Sequence, residues 1–211
     1  MVSSAENGVS RRSGVSGINP TRRDVLALAA LGLVAGTPGL ARAATPQGQL
    51  TWGIHVSLAP SWFDPADTQG IITPFMVLYA LHDAVVKPMP DNPMAPCLAQ
   101  SFAASEDGLS YDFVLRENAR FHNGEPVTAE DVKFSFERYR GASHDLIKDR
   151  VAAVETLDPR RLRFRLKEPW SDFLTFYATA SGAGWVVPKT YVEQVGDEGF
   201  KKAPVGCPAS V

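Results

Sequence analysis

Short segments of this chain alternate apolar with polar residues, which predicts β-strands. Residues 109–116 place Leu, Tyr, Phe and Leu on one face at every second position, directly after Asp-Gly at 107–108. This pattern predicts a hairpin whose first strand covers residues 98–105. A second pair of strands is predicted over residues 151–156 and 162–166, and the latter alternates apolar residues with arginine.

Helical signals lie between and after these strands. Thr128 and Asp131 have the spacing of a capping box, and the residues that follow predict a helix that ends near Gly141, with Val132, Phe136 and Tyr139 on its buried face. A shorter amphipathic helix is predicted over residues 172–178. Strands and helices therefore alternate along the chain, and the predicted fold class is mixed α/β.

The region before the first hairpin has a different pattern. A weak strand over residues 50–56 precedes a loop rich in Pro and Asp. Thr73 and Pro74 predict the start of a helix, because Thr caps helices and Pro is tolerated in the first turn. Residues 75–85 are apolar almost all round, which predicts a buried helix. Prolines then predict an extended connection without a helix, at positions 88, 90, 93 and 96.

Composition and charge exclude several classes of protein. The 211 residues are 45% hydrophobic and 21% charged, an ordinary globular profile that excludes a collagen, a coiled coil and a disordered tail. The 21 basic residues do not exceed the 23 acidic ones, so a nucleic-acid partner is not predicted. Residues 1–43 hold five arginines and two acidic residues, so a basic leader precedes an acidic body.

The leader has the organisation of an export signal. Arg22 and Arg23 stand just before an almost wholly apolar run over residues 25–34, and Ala41 and Ala43 form a small-x-small cleavage pattern. Together these predict a twin-arginine signal peptide that is cleaved near Ala43, with the twin-arginine translocase as export partner. The run is shorter than the ~20 residues that span a membrane. A membrane anchor is therefore disfavoured, and we expect a soluble periplasmic protein.

Candidate chemistry is sparse. The sequence contains no Gly-x-Ser-x-Gly elbow, no phosphate-cradling glycine loop and no His-Glu-x-x-His, and its four histidines have no metal-ligand spacing. The sequence therefore predicts no enzyme, no metal site and no cofactor. Cys97 and Cys207 leave two interpretations open in an oxidising compartment, a disulfide or two unlinked residues, and the second is favoured.

A long, ordered pattern covers residues 98–102 (Leu-Ala-Gln-Ser-Phe), 105–116 (Ser-Glu-Asp-Gly-Leu-Ser-Tyr-Asp-Phe-Val-Leu-Arg) and 121–138, which begins Phe-His-Asn-Gly-Glu-Pro-Val-Thr-Ala-Glu-Asp. With residues 202–206, Lys-Ala-Pro-Val-Gly, it closely resembles the solute-binding proteins of peptide, nickel and related ABC importers, the extracellular solute-binding family 5. The resemblance runs from about residue 50 to residue 206.

The resemblance implies a periplasmic-binding-protein-like type II fold, in which two lobes close around a ligand. It divides the chain into the signal (1–43), an N-terminal part of lobe I (44–87), a smaller α/β domain (88–195) and the start of a return to lobe I (196–211). Family members usually continue after Gly206 with Thr-Gly-Pro-Tyr, whereas this chain has Cys-Pro-Ala-Ser-Val. We therefore expect a truncated fold with an incomplete first lobe and an aberrant C-terminus.

By position, the resemblance places five residues near the ligand, and they are Thr73, Phe75, Ser181, Gly182 and Trp185. Backbone N–H groups at a helix start suit an anionic group, and small residues permit close approach. The alternative is that Phe75 and Trp185 belong to the core.

The function that the resemblance implies is capture of a peptide or similar small solute, by a periplasmic monomer that delivers it to the membrane permease subunits of an ABC importer without altering it. Two alternatives stay open. One is a truncated fragment that binds nothing, and the other is an exported hydrolase. The solute itself is not specified, because the family takes peptides, nickel chelates, sugars and opines on one scaffold.

Overall fold

The structure is a computed structural model that describes residues 53, 60–67, 73–178 and 181–207. Within these ranges, two short 3-10 turns precede five helices and six strands. The turns are Pro60–Phe63 and Pro65–Asp67. The helices are α1 (Thr73–Leu81), α2 (Ala129–Arg138), α3 (His144–Arg150), α4 (Phe173–Tyr177) and α5 (Lys189–Lys202). The strands are β1 (Val86–Met89), β2 (Asn92–Pro96), β3 (Ala99–Ala104), β4 (Ser110–Leu115), β5 (Val151–Asp158) and β6 (Arg161–Leu166).

The predicted export signal lies outside the described residues, with Arg22, Arg23, Ala41 and Ala43. The predicted strand over residues 50–56 is described only at Gly53. Across the described ranges, the helices are all too short or too polar to cross a membrane.

The larger sheet has four strands in the order β3-β4-β6-β5, and every neighbouring pair is antiparallel. Tyr111 lies opposite Phe164, and Phe113 lies opposite Leu162. The β3–β4 turn contains Gly108 with a φ of +68°, a left-handed conformation that glycine adopts without strain. The predicted hairpin and the second predicted pair of strands are both confirmed. In each case the alternating pattern and the turn residues favour the same structure over a few positions.

One face of this sheet packs against α2 and α4. Phe164 is fully buried, and its ring centroid lies 5.7 Å from that of Phe113 in the neighbouring strand. The helices add Phe136 at 5.1 Å and Tyr177 at 4.6 Å from the same ring. Tilted and edge-to-face aromatic pairs of this kind stabilise a core beyond the area they bury.

The opposite face of the sheet is polar. Arg163 Nε lies 2.6 Å from Asp112 Oδ1, and Arg165 Nε lies 2.6 Å from Glu155 Oε1. The alternation of arginine with apolar residues in β6 therefore matches a strand with one buried and one solvated face.

The capping box at the start of α2 is confirmed. The side-chain oxygen of Thr128 accepts the N–H of Asp131 at 3.4 Å, and Asp131 Oδ2 accepts the N–H of Thr128 at 2.8 Å. Asp131 Oδ1 also accepts the N–H of Lys189 at 2.9 Å, at the start of α5. One carboxylate thus caps two helices and fixes α5 relative to α2.

Helix α1 differs from the prediction in two ways. It ends at Leu81 instead of continuing to residue 85, and Tyr79 is 44% exposed, so the helix is not buried all round. The carboxylate of Asp83 accepts the N–H of Ala84 at 3.2 Å, a local bond that competes with helix continuation. The β-branched Val85 and Val86 then favour extended backbone.

The proline-rich connection contains no helix, as predicted, but it pairs with itself. Strands β1 and β2 form a two-stranded antiparallel sheet, with Val86 opposite Pro96 and Met89 opposite Asn92. The register shifts between Lys87 and Met89. Proline is tolerated here because each strand has an edge that needs no ladder bond.

Helices α3 and α5 were not predicted. Helix α5 consists of two helical segments joined at Gly196, whose φ is +71°. Its buried residues are Val192 and Phe200, too few to give a clear helical periodicity in the sequence. The predicted domain boundary between residues 195 and 196 falls at the kink.

Candidate functional site

The chain after α1 pairs with the chain before α5. The N–H of Val85 donates to the carbonyl oxygen of Gly184 at 3.1 Å, and the N–H of Val186 donates to that of Asp83 at 3.2 Å. These bonds make Ala84 and Trp185 antiparallel partners. Two segments a hundred residues apart in sequence therefore meet beside α1.

Trp185 is the centre of this junction. Its side chain is only 2% exposed and packs with Leu78 and Ala84. The ring of Tyr79 stands edge-on to it, with centroids 5.5 Å apart and an interplanar angle of 88°. Because Tyr79 is 44% exposed, the junction presents an aromatic ring to solvent with a rigid, buried ring behind it.

Ser181 and Gly182 form the turn that leads to Trp185. The hydroxyl of Ser181 donates to the carbonyl oxygen of Phe176 and accepts the N–H of Ala183 at 3.3 Å. Gly182 has a φ of +85°, and its carbonyl oxygen accepts the N–H of Trp185 at 3.4 Å. The turn is therefore held by its own hydrogen bonds, and both residues are buried.

The hydroxyl of Tyr139 joins this turn to the loop after α2. It donates to the carbonyl oxygen of Ser181 at 2.6 Å and accepts the N–H of Ser143 at 3.2 Å. Burial raises the pKa of Tyr139, so its hydroxyl stays protonated as a donor. A cleft of about 480 Å³ opens on this loop, lined by Arg140, Gly141, Ala142, His144 and Asp145.

Glycine is required where the turn approaches its neighbours. A Cβ on Gly184 would collide with the carbonyl oxygen of Tyr177 at the end of α4. The small residues that the sequence showed before Trp185 thus serve close backbone packing at this position.

A buried ion pair fastens residues 60–67 beside α1. Arg138 makes two bonds of 2.8 Å to the fully buried carboxylate of Asp64, and its Nη2 lies 2.7 Å from Asp197 Oδ1. The guanidinium lies 5.9 Å from the ring centroid of Phe134 and 5.8 Å from that of Phe200. Hydrogen bonding to Arg138 lowers the pKa of Asp197, so the network stays charged.

The structure thus brings Ser181, Gly182 and Trp185 into one turn and sets Trp185 against α1. Thr73 and Phe75 lie in the first turn of the same helix. The burial predicted for Tyr139 is confirmed, but sequence reasoning missed the exposure of Tyr79 and the hydrogen bond from Tyr139 to Ser181. Neither exposure in a helix nor a bond across 42 residues leaves a local signal.

The arrangement is suited to binding. At the junction it offers an exposed aromatic ring over a buried one, next to a turn that its own hydrogen bonds hold in place. Within the described ranges, no group of three or more His, Cys, Asp or Glu residues is placed to hold a metal ion.

Comparison with known proteins identifies a family. The model of the bacterial extracellular solute-binding proteins, family 5 Middle, matches residues 93–207. A di/tripeptide-binding protein 2 of Pseudomonas aeruginosa (strain UCBPP-PA14) is 30% identical over 74% of this chain and 34% of its own length. A probable D,D-dipeptide-binding periplasmic protein, DdpA of Escherichia coli (strain K12), is 32% identical over 75% of this chain and 31% of its own.

A solved structure shows the same fold. The binding protein AgaA from A. tumefacien R10, in complex with agropinic acid, matches with a TM-score of 0.62 and 27% identity, over 71% of this chain and 30% of that one. The chain thus spans about a third of the length of these relatives. Its fold is part of the type II periplasmic-binding-protein fold, and the chain belongs to the bacterial extracellular solute-binding proteins of family 5.

Proposed function

We propose that this chain acts in solute capture for an ABC importer. It binds a peptide or similar small solute in the periplasm as a monomer and delivers it to the membrane permease, without chemistry on the ligand. Family membership supports this proposal, as do relatives named for di- and tripeptides and for D,D-dipeptides.

The exposed Tyr79 ring on buried Trp185 carries the proposal within this chain. A rigid aromatic ring offers contact area at a low cost in conformational entropy. In this proposal the solute contacts Tyr79 directly, while Trp185 holds the ring. The backbone at Ser181 and Gly182 and the first turn of α1, with Thr73 and Phe75, complete the contact surface.

Thermal unfolding tests this function, with the leader removed. A mixed pool of di- and oligopeptides raises the melting temperature of the wild-type chain, because a ligand that binds only the folded state stabilises it. Tyr79→Ala abolishes the shift, whereas Leu157→Ala, a matched change at a residue 48% exposed on β5, retains it. A wild-type melting temperature that no peptide moves contradicts the proposal and favours the non-binding fragment.

Export by the twin-arginine route has its own test. Replacing Arg22 and Arg23 together by lysine leaves the precursor uncleaved in the cytoplasm, because the translocase recognises the arginine pair. Cell fractionation with an antibody against the chain measures this. A mature protein that still reaches the periplasm would contradict the twin-arginine proposal.

A further inference from the structure

Two cysteines that the proposed function does not use share one neighbour. Cys97 and Cys207 are both buried, at 3% and 1% exposure, and neither forms a disulfide in the structure. The Sγ–H of Cys97 donates to Asp83 Oδ1 at 2.7 Å. The backbone N–H of Asp83 donates to the sulfur of Cys207. Both sulfur atoms are therefore held by the same residue.

Backbone contacts hold the two cysteines against residues 81–85. The N–H of Cys97 donates to the carbonyl oxygen of Val85 at 3.1 Å. Gly206, next to Cys207, lies so close to Leu81 that a Cβ would collide with its carbonyl oxygen. Both cysteines thus lie beside residues 81–85, although 109 residues separate them in the chain.

Burial is the main reason that both thiols stay protonated while they are enclosed. Burial, then the hydrogen bond to Asp83, raises the pKa of Cys97 to about 11, although Lys87 acts in the opposite direction. Burial also raises the pKa of Cys207. Since the thiolate is the reactive form, oxidation requires one cysteine to become exposed first.

Cys207 lies in the less regular of the two segments. Residues 203–207 contain neither helix nor strand. Gly206 exchanges two hydrogen bonds with His122, its carbonyl oxygen accepting at 2.7 Å and its N–H donating to Nδ1 at 3.3 Å. Cys97, by contrast, lies between β2 and β3.

We propose that Cys97 and Cys207 are a convertible dithiol, which a small-molecule disulfide oxidises to an intramolecular disulfide. In the opened chain, the Cys207 thiolate attacks a sulfur of glutathione disulfide, which forms a mixed disulfide and releases one glutathione thiolate. The Cys97 thiol then loses its proton to solvent, its sulfur attacks the Cys207 sulfur, and the second glutathione leaves as a thiolate. Two protein thiols are oxidised, and one glutathione disulfide is reduced to two thiols.

The disulfide would link Cys207, the last described residue, to Cys97, which lies just before β3 of the larger sheet. A cross-link that closes a loop of this length restricts the unfolded chain strongly. We therefore expect the melting temperature of the oxidised protein to rise by several degrees, and dithiothreitol to reverse the rise.

The full 211-residue chain is incubated with glutathione disulfide, unfolded in an alkylating agent and digested. The expected product is a peptide pair joined through Cys97 and Cys207, with no alkylated thiol left. Cys97→Ser and Cys207→Ser serve as controls, and Cys97→Ser stops at the mixed disulfide on Cys207. Persistent free thiols, wild-type protein stalled with glutathione on Cys207, or cross-linked dimers would each overturn the proposal.

Discussion

The four-stranded sheet and helix α1 are both rich in apolar residues, but they bury them differently. Phe113 and Phe164 in the sheet are wholly enclosed by helices close to them in the chain. In α1, Leu78 is fully buried while the neighbouring Tyr79 and Ala80 are exposed. The apolar face of the four-stranded sheet is thus covered by helices that lie close to it in the chain. Helix α1, by contrast, exposes part of its apolar surface to solvent. This difference separates a fully enclosed scaffold from a helix that is only partly covered.

The largest effect expected is at Phe164. Its replacement by alanine removes a ring that contacts both a neighbouring strand and two helices, and we expect a loss of roughly 3–5 kcal/mol in the free energy of unfolding. Tyr79→Ala should cost about 1 kcal/mol or less, since much of its ring is solvated. Urea unfolding measures both, with Leu157→Ala as the exposed control. Equal losses at Phe164 and Tyr79 would remove the contrast between the two regions.

Arg138 tests the attachment of residues 60–67 to the scaffold. Arg138→Met removes the guanidinium that binds the buried carboxylate of Asp64 through two hydrogen bonds, and we expect a loss of about 3 kcal/mol or more in the free energy of unfolding. The double variant with Asp64→Leu should recover much of that loss, since no buried charge is left. If the double variant is no more stable than Arg138→Met, desolvation of Asp64 is not the cause.

His82 connects α1 to the paired segment that follows it. Burial lowers its pKa to about 4 from an ordinary value of 6.5. Between these two values the unfolded chain binds more protons than the folded one, so folding stability is fully present above pH 6.5 and falls as the pH drops towards 4. The contribution amounts to roughly 3 kcal/mol.

Urea unfolding between pH 4 and pH 7 measures this contribution as the slope of the free energy of unfolding. His82→Gln should flatten the slope, while His144→Gln, at an exposed position, should leave it unchanged. An identical slope in wild type and His82→Gln would show that the stability lost at low pH depends on other titratable groups.

A small effect, comparable with that at Tyr79, is expected at the cap of α2. Thr128→Ala removes the side-chain oxygen that accepts the N–H of Asp131, and we expect a loss of about 1 kcal/mol in the free energy of unfolding. Thr190→Ala is the control, an exposed threonine in α5. A loss of several kcal/mol would mean that Asp131 moves as well and releases the start of α5.

Sequence reasoning succeeded where burial and local geometry agree over a few residues. The hairpin around Gly108, the strand over β6 and the capping box at Thr128 follow from alternation, turn residues and side-chain spacing. It failed at α1, where the apolar run continues through Val85 but Asp83 bonds locally and the chain turns into a strand. An apolar run does not distinguish a helix from the extended segment that follows it.

The sequence by itself determined the mixed α/β class, the strands of the four-stranded sheet, the N-terminal cap of α2 and the family resemblance. Each of these depends on residues within a few positions of one another. Only the tertiary structure decided that Trp185 lies beneath Tyr79, that Arg138 reaches Asp64, and that Cys97 and Cys207 share Asp83. Each of these contacts joins residues far apart in the chain. Their meeting depends on how whole elements pack, and no local pattern of residues records it.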